Sequence, residues 1–166
     1  MTFSNRVSQV LHEEHRATVA LMERLENLMA RHQRGLPDVA DRAVAQLLSE
    51  LAIAVEADVE HHFGFEEKRL FAFLEEMGDA AIGAHLTDEH EAIRPVGRRV
   101  AALAREAAAG GFDAARWEEF RRLGQELCER MLMHVQKEEM ALLPLLDEAM
   151  DAETEARLHQ EYLESA

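Results

Sequence analysis

Two short stretches of this sequence each place a histidine and a glutamate four residues apart, a spacing that brings both side chains to one face of an α-helix. The pairs are His62 with Glu66 and His134 with Glu138, and apolar residues at the helical period follow each pair. The shared face is therefore expected to point into a core. A buried carboxylate is costly unless it is paired or bound to a metal, so the pattern indicates metal chemistry.

An internal repeat surrounds these pairs. The segments 11–15 and 86–90 both read Leu, two variable residues, Glu and His, and each precedes a helix that carries a His-x-x-x-Glu pair. The chain is thus a doubled helix pair, and in a bundle with pseudo-twofold symmetry its two halves face each other. The sequence predicts that six ligands converge there: His15, His62, Glu66, His90, His134 and Glu138.

The ligand types narrow the choice of metal. Imidazole with carboxylate suits iron, manganese or zinc, whereas copper(I) and iron–sulfur clusters select thiolates. The lone cysteine, Cys128, allows neither an intramolecular disulfide nor a cysteine-based zinc site, and it is expected to be buried. Two carboxylates among four imidazoles fit two metals bridged by the glutamates better than one metal. Each metal would keep open positions for an oxo or hydroxo bridge and an added ligand, which predicts reactivity toward dioxygen, peroxide or nitric oxide.

Simpler explanations fit the pattern less well. A single His-x-x-x-Glu pair is common on exposed helix faces, but independent pairs have no reason to recur in register with two isolated histidines. The ferritin-type di-iron signature has the opposite polarity, with Glu-x-x-His and isolated glutamates. The zinc-protease motif needs His-Glu-x-x-His, and the segment 12–15 is one residue short of it.

Four long amphipathic helices must position these residues, so we expect an all-α fold, an up-down-up-down four-helix bundle with a short C-terminal fifth helix. Start and stop signals place the helix ends. They predict a first helix from Ser4 as N-cap to near Gly35, a second from Pro37-Asp38, a third ending near Ala109, a fourth capped by Asp113, and a fifth from about Asp151 to Glu164. Pro95 is expected to kink the third helix or start it locally, and Pro144 to end or bend the fourth.

Composition restricts the class of protein. The 166 residues are expected to form a single domain over 1–166, with the bundle at about 5–149 and the last helix at about 151–164. The formal charge of -15 argues against nucleic acid or an anionic membrane as a partner. With no apolar run near the roughly 20 residues that span a bilayer and no secretory pattern, a cytoplasmic location is predicted. A pocket for a large organic molecule is not expected, and the oligomeric state is left open.

The arrangement Glu-His, His-x-x-x-Glu-Glu, Glu-His, His-x-x-x-Glu-Glu resembles the hemerythrin-like, or HHE cation-binding, family from about Val7 to Leu146. The resemblance implies a non-haem di-iron centre between the helices, with manganese or zinc as substitutes. By the same resemblance, one iron is held by two histidines of the first half and the other by two of the second half, with both glutamates as bridges. The iron pairs are His15 with His62 and His90 with His134, and the bridges are Glu66 and Glu138.

Two positions depart from the oxygen-carrying members of the family. Those proteins have a further histidine four residues before the third-helix ligand, where this chain has Leu86. Their second bridging carboxylate is an aspartate five residues after the fourth-helix histidine, where this chain has Glu139, directly after Glu138. The sequence thus looks like a four-histidine, two-glutamate variant. The two departures argue against reversible oxygen storage. They leave room for peroxide or nitric oxide chemistry, catalase-like or peroxidase-like if the protein is an enzyme, with iron storage or donation for repair, or oxygen, iron or redox sensing, as alternatives.

Other polar residues near the ligands have open roles. Three further histidines are alternative ligands or bystanders outside the ligand set: His12, His61 and His85. His32 and His159 are predicted at the surface, and Tyr162 is not expected to be a ligand. The second glutamates of the two pairs, Glu67 and Glu139, turn about 100° away and are predicted to lie outside the ligand set, with Arg or Lys of neighbouring helices as partners. Leu11 and Leu86 are predicted as apolar walls of the site.

Overall fold

The computed structural model describes residues 2–165, and every regular element in that range is helical. Residues 1 and 166, the ends of the predicted domain, lie outside it. Helices α1 (Arg6–Arg31), α3 (Ala81–Gly110) and α5 (Ala152–Glu164) are uninterrupted. Helix α2 passes through Arg42–Ile53, Ala54–Asp58, Val59–Phe65, Glu66–Leu70 and Phe71–Glu76, and helix α4 through Ala114–Lys137, Glu138–Leu142 and Leu143–Ala149. Three of these segments are π-helical turns, Ala54–Asp58, Glu66–Leu70 and Glu138–Leu142, each with one extra residue in the turn.

The four long helices form a closed bundle. Helix α1 packs against α2 and α4, and α3 packs against the same two helices from the other side. Because short connections join consecutive helices, neighbours run antiparallel, and the topology is up-down-up-down. Helix α5 packs on the outside of α1. The predicted fold class is confirmed.

The N-cap predicted for α4 is confirmed, and the N-cap predicted for α1 is wrong by one residue. Asp113 caps α4, as predicted, and Asp151 caps α5 at the predicted start of that helix, each accepting a backbone hydrogen bond from the first turn. Helix α1 was predicted to start from Ser4, but the N-cap is Asn5, whose side chain accepts from the Ser8 N–H at 2.7 Å. Ser4 instead donates its backbone N–H and its hydroxyl to the Asp147 carboxylate, which ties the start of the chain to the end of α4.

The connection between α1 and α2 is longer than predicted. Helix α1 ends at Arg31, ahead of Gly35, and α2 starts at Arg42 rather than at Pro37-Asp38. The reason is local, because Asp38 accepts from the backbone N–H of residue 40 and forms a turn of its own. The carboxylate of Asp41 then accepts from the first two available N–H groups of α2 and caps it.

The prolines and glycines act less uniformly than the sequence suggests. Pro95 lies within the unbroken α3, on its exposed face, so it does not start a new helix. Pro144 does not end α4. It follows the π turn Glu138–Leu142, whose extra residue accommodates the proline ring and its missing N–H in a continuing helix. Gly111, at φ +81°, supplies the left-handed conformation that stops α3, as expected of Gly110-Gly111.

Two apolar clusters fill the bundle, and the six predicted ligands lie between them. The larger cluster includes Leu25, Leu51, Ala104 and Phe120, and the smaller includes Leu11, Phe71, Leu86, Leu142 and Leu146. Along α1 the chain passes from Leu11 in the smaller cluster through His15 to Leu21 in the larger one. The polar layer is therefore closed by packed hydrocarbon on both sides, and the predicted apolar positions Leu11 and Leu86 are buried in one of its walls.

The outer faces of the helices carry charge. Ion pairs such as Arg99 with Glu119 and Arg24 with Glu50 link neighbouring helices at exposed positions, where such pairs contribute about 1 kcal/mol or less. Over the described residues, no helix combines the length and the apolar character that crossing a membrane requires.

Candidate metal centre

The structure brings all six predicted ligand side chains together. They come from four different helices: His15 from α1, His62 and Glu66 from α2, His90 from α3, and His134 and Glu138 from α4. Every one of them is buried, and Glu66, His90 and Glu138 expose no surface at all. Carboxylates and imidazoles are rarely placed this deep in a bundle unless a partner compensates for lost hydration.

The cluster divides into two overlapping groups of four. His15 and His62 form one group with the two glutamates, and His90 and His134 form the other group with the same two glutamates. Within each group one potential ligand atom per residue lies within 4.8 Å of all the others. Because Glu66 and Glu138 belong to both groups, the arrangement could hold two ions that share carboxylates.

The Nε2 atoms of the histidines all face the carboxylates. The His15 Nε2 lies 3.0 Å from Glu138 Oε1, and the His134 Nε2 lies 3.3 Å from the same oxygen. On the other glutamate, His62 Nε2 lies 3.3 Å from Oε2 and His90 Nε2 lies 3.2 Å from Oε1. Four nitrogens and three carboxylate oxygens therefore enclose one small volume in the middle of the bundle.

Several atoms in this volume lack hydrogen bonds, although they are fully buried. Among the described residues they include both oxygens of Glu66 and the Oε2 of Glu138. The Nε2 atoms of His90 and His134 also face each other at 3.1 Å, and unprotonated they would direct two lone pairs at one point. Unsatisfied carboxylates and facing lone pairs are unfavourable without a cation, so the residues present fit bound metal ions.

A π turn starts at each shared glutamate. Glu66 opens the turn Glu66–Leu70 and Glu138 opens the turn Glu138–Leu142, at equivalent places in the two halves. The extra residue in each turn rotates the following residues relative to a regular helix, and such turns are frequent at functional sites. The duplication therefore extends from the ligand spacing to the backbone geometry beneath it.

In each half, the glutamate of the Glu-His motif orients the histidine of the His-x-x-x-Glu pair. The His62 Nδ1 donates to Glu14 Oε1 at 3.0 Å, and the His134 Nδ1 donates to Glu89 Oε1 at 2.8 Å. A carboxylate on Nδ1 fixes the proton there and leaves the Nε2 lone pair facing the centre. Glu14 and Glu89 directly precede the isolated histidines in the chain, and no separate role was predicted for them from the sequence.

The second glutamates of the pairs connect the two halves. His90 Nδ1 donates to Glu67 Oε2 at 2.6 Å, and Arg94 donates to the same oxygen at 2.9 Å. In the other half His12 takes the equivalent carboxylate, with its Nδ1 2.5 Å from Glu139 Oε1. Glu139 thus stays 3.6 Å from His15 Nδ1, which makes no hydrogen bond. The predicted placement outside the ligand set agrees with this geometry, and the predicted Arg partner is found for Glu67.

The outermost partners differ between the halves. Glu14 accepts a hydrogen bond from the Tyr162 hydroxyl of α5 at 2.5 Å, whereas Glu89 pairs with the ammonium group of Lys137. The neutral phenol and the charged ammonium group give the two carboxylates different acceptor strength. The two potential metal positions are therefore electrostatically unequal, although their nearest ligands are alike.

The buried groups perturb one another in the absence of bound cations. Burial and the nearby Glu138 charge raise the pKa of Glu66 well above its usual value. Burial opposes protonation of His62, but the carboxylates of Glu66 and Glu138 outweigh it and raise the His62 pKa well above its usual value. Burial and the neighbouring His134 lower the pKa of His90 to about 3. Two buried carboxylates this close cannot both stay ionised without positive charge between them.

Carboxylates outnumber the cationic side chains in and around the cluster. Two glutamates inside the cluster and four around it (Glu14, Glu67, Glu89 and Glu139) carry six negative charges. Arg94, which also pairs with Glu60, and Lys137 supply two positive charges. The excess negative charge favours bound cations.

The other histidines lie outside the cluster. His61 bonds to Ser165 at 2.8 Å, and the exposed His85 lies beside Glu89 and Lys137. His12 bonds to Glu139 and so touches the surroundings of the site without joining a ligand group. His32 and His159, predicted at the surface, are half-buried, and the carbonyl of His32 accepts the Trp117 indole N–H. Cys128 is buried as predicted, and burial raises its pKa to about 12.

A chamber of about 320 Å³ adjoins the cluster between α1, α2 and α4. His15, His62, His134 and Glu138 line one end, and the remaining wall is mostly apolar. Ala17 and Asp58 also line the chamber and are exposed, so the chamber opens to solvent. A path therefore leads from the surface to the cluster on the His15 and His62 side.

The fold and the cluster define a helical bundle with a buried histidine–carboxylate site for cations. The sequence profile of the family described as Hemerythrin HHE cation binding domain matches residues 6–146 and, separately, residues 84–164. The chain therefore belongs to the hemerythrin HHE cation-binding family. The second match starts in α3 and covers the second half of the repeat. No curated protein matches the chain in a sequence search.

Proposed function

We propose that the protein holds two iron ions between the helices and uses them to bind or react with a small oxidant or diatomic molecule: dioxygen, peroxide or nitric oxide. One observation carries the proposal. The same two glutamates, Glu66 and Glu138, take part in both groups of four potential ligands. A single ion would leave one histidine pair without a role, whereas two ions use every inward-facing donor atom.

The donor set is compatible with iron, and the resemblance to hemerythrins favours iron over the other metals that fit it. Four imidazoles and two carboxylates are intermediate ligands that suit iron, manganese and zinc, and the described residues place no thiolate near the cluster. When bound, a pair of iron ions supplies one-electron and two-electron redox chemistry at positions that the protein leaves open.

The surrounding residues have distinct tasks in this proposal. Glu14 and Glu89 hold the protons of His62 and His134 on Nδ1, so that both Nε2 atoms remain ligands. The two apolar clusters exclude water from above and below. The chamber admits a small molecule from the side of His15 and His62.

Iron analysis with an optical spectrum tests the proposal. Protein purified aerobically from iron-replete cells is expected to contain about two irons per chain, one for each histidine pair, and to show the near-ultraviolet absorption of a bridged ferric pair. Peroxide or nitric oxide should change that spectrum. Protein without a transition metal under these conditions would refute the proposal. A matched control is Glu129→Gln, an exposed glutamate on α4, which should keep the metal and the spectrum.

Turnover distinguishes an enzyme from a binding protein within the same proposal. A catalase-like centre evolves dioxygen from peroxide, and the evolution should vanish in His62→Ala and persist in Glu129→Gln. A binding or sensing protein changes its spectrum stoichiometrically and stops there. Iron storage or donation predicts instead that the iron moves to an added apo-acceptor within minutes, with little turnover.

A further inference from the structure

The chamber beside the cluster is much larger than a diatomic ligand requires. A water molecule takes about 30 Å³ in the liquid, so dioxygen, peroxide or nitric oxide needs roughly twice that volume at most. The chamber has about 320 Å³. An apolar cavity of roughly 150 Å³ already holds a benzene ring in other proteins. The chamber therefore has room for an aromatic ring with a short substituent in addition to a diatomic ligand.

The chamber is not a general consequence of the doubled bundle, because the other half fills the equivalent place. Equivalent positions differ by 75 residues between α1 and α3, as in His15 and His90, and by 72 between α2 and α4, as in His62 and His134. The equivalent space lies between α3, α4 and α2 and has only about 10 Å³.

Three substitutions between the halves accompany this difference. Thr18, Val55 and Val59 line the chamber, and the last two also border the closed space. At the equivalent places the closed space has bulkier residues. The equivalent residues are Ile93, Leu127 and Met131. Each exchange adds side-chain volume at a wall, and close-packed interiors leave little space for such additions.

The backbone also differs between the halves at this wall. The π turn Ala54–Asp58 forms the α2 side of the chamber, and its equivalent in α4, residues 126–130, is regular α-helix. The π turns Glu66–Leu70 and Glu138–Leu142 are equivalent to each other, one in each half, whereas the turn at the chamber has no π-helical equivalent. Such turns are frequent at functional sites, because the extra residue displaces the helix wall locally.

We propose that this chamber binds a small apolar organic molecule without an acidic group, about the size of a benzene ring with a one- or two-carbon substituent. The inference deepens the proposed function, on which it rests for the metal ions at the inner end. The buried wall consists of apolar side chains, including Leu21, Met22, Phe63 and Met131. Such a lining takes up hydrocarbon and leaves polar atoms without partners.

The mouth of the chamber selects against acids. Glu14 and Asp58 both line it, and no lysine or arginine is among its lining residues. A carboxylate ligand would lose hydration and meet two negative charges, whereas an alcohol or amine would not. Thr18 offers a hydroxyl group at the same wall for a polar substituent.

Methyl NMR with labelled methionines tests the inference, since two methionines line the chamber and others do not. Benzyl alcohol is expected to shift the methyl signals of Met22 and Met131 with saturation. The signals of Met133 and Met140, which are exposed, serve as internal controls and should not shift. Benzoate, of similar size but negatively charged, should bind the metal-free protein at least tenfold more weakly.

A variant whose bulkier side chains fill the chamber is compared with the unmodified protein. Thr18→Ile with Val59→Met copies the residues of the closed half and should weaken benzyl alcohol binding at least tenfold. Thr18→Ile alone, at a half-exposed position, serves if the double variant folds poorly, with a smaller loss expected. No shift at Met22 and Met131, or an equal shift in both filled variants, would overturn the inference. Equal affinity for benzoate would overturn the selection against acids.

The titration is run on metal-free and on iron-loaded protein, with iron content measured on each sample. Protein that binds two irons but gives no methionine shift contradicts this inference alone. Protein that binds benzyl alcohol in the chamber but takes up no metal contradicts the proposed function and leaves the chamber as a ligand site. The two failures are therefore distinguishable.

Discussion

The Tyr162 hydroxyl donates a hydrogen bond to Glu14 at 2.5 Å, and Glu14 in turn accepts from His62 Nδ1 at 3.0 Å. The C-terminal helix thereby reaches one of the four central histidines through two hydrogen bonds. In the equivalent place of the other half, Lys137 takes the role of the tyrosine. Helix α5 is thus part of the support of the centre, although it lies outside the four-helix bundle.

Removing that hydroxyl should weaken the metal position at His15 and His62. Partners that hold a metal-bound histidine change metal affinity by roughly 10- to 100-fold, and Tyr162 acts one step further out, so Tyr162→Phe should lower affinity about 3- to 10-fold. The ring keeps its contact with Phe65, so the loss reports the hydroxyl. Competition with a chromophoric chelator measures it.

The control for that experiment is Leu163→Ala, an exposed neighbour on the same helix. It should leave both metal positions unchanged. Equal losses in the two variants would show that α5 acts by packing rather than through the Tyr162 hydrogen bond.

Glu67 and Glu139 occupy equivalent positions but should respond differently to neutralisation. Glu67 lies 2.6 Å from His90 Nδ1, whereas Glu139 is bound by His12 and stays 3.6 Å from His15 Nδ1. Glu67→Gln is therefore expected to lower metal affinity roughly tenfold, and Glu139→Gln by clearly less. Metal titrations of the two variants make the comparison, and equal effects would contradict the geometric difference.

Metal binding should release protons. In metal-free protein burial and Glu138 raise the pKa of Glu66, and Glu66 and Glu138 raise that of His62 against the effect of burial, so the cluster takes up protons more readily than exposed groups of the same kind. Bound ions must displace them, so affinity should rise with pH, roughly tenfold per pH unit for each proton released. His90, with a pKa of about 3, releases none.

Calorimetry with zinc as a redox-inert substitute measures the released protons. The binding heat should vary between buffers with different ionisation enthalpies, in proportion to the number of protons. A binding heat that is independent of the buffer would show that the cluster is already deprotonated before the metal enters.

Glu66→Gln should stabilise the metal-free protein while preventing normal metal loading. The glutamate is fully buried, its oxygens make no hydrogen bonds, and burial and Glu138 raise its pKa. At neutral pH the folded protein must therefore either keep a buried charge or bind a proton at Glu66, and the neutral amide avoids that cost. The expected gain in unfolding free energy is of order 1 kcal/mol, since a pKa shift of one unit corresponds to about 1.4 kcal/mol. Urea denaturation of the metal-free proteins measures it.

Glu67→Gln is the control for the stability measurement. Glu67 is half-buried and paired with His90 and Arg94, so its neutralisation should lower stability. If Glu66→Gln destabilised the metal-free protein as much as Glu67→Gln, the cluster would not be under electrostatic strain without metal.

The six clustered residues could be predicted from the sequence, because helical spacing alone brings a histidine and a glutamate to one face. His62 and Glu66 needed only the period of a helix, and the repeat supplied the register of the isolated His15 and His90. The fold followed from the same periodicity. These are local patterns, and they survive small errors in helix ends.

The residues that hydrogen-bond to the clustered histidines were harder to predict from the sequence, because their roles depend on contacts between helices. Glu14 was part of a recognised motif, but its hydrogen bond to His62 depends on how α1 is oriented about its axis relative to α2. Tyr162 lies 148 residues from its partner Glu14. The replacement of His12 by Thr87 in the second half was visible in sequence and could have signalled that Glu139 and Glu67 differ.

The predicted start of α2 was wrong for a different reason. Both Asp38 and Asp41 are good capping residues, and only the turn at Asp38 decides between them. The chamber could not be predicted, since its volume results from a π turn and several side-chain sizes together.

Anomalous diffraction at the iron absorption edge tests the central claim most directly. Crystals of protein loaded with iron are expected to show two anomalous peaks about 3.5–4 Å apart, one near His15 and His62 and one near His90 and His134, with Glu66 and Glu138 in contact with both. A single peak, or two peaks that share neither glutamate, would contradict the account.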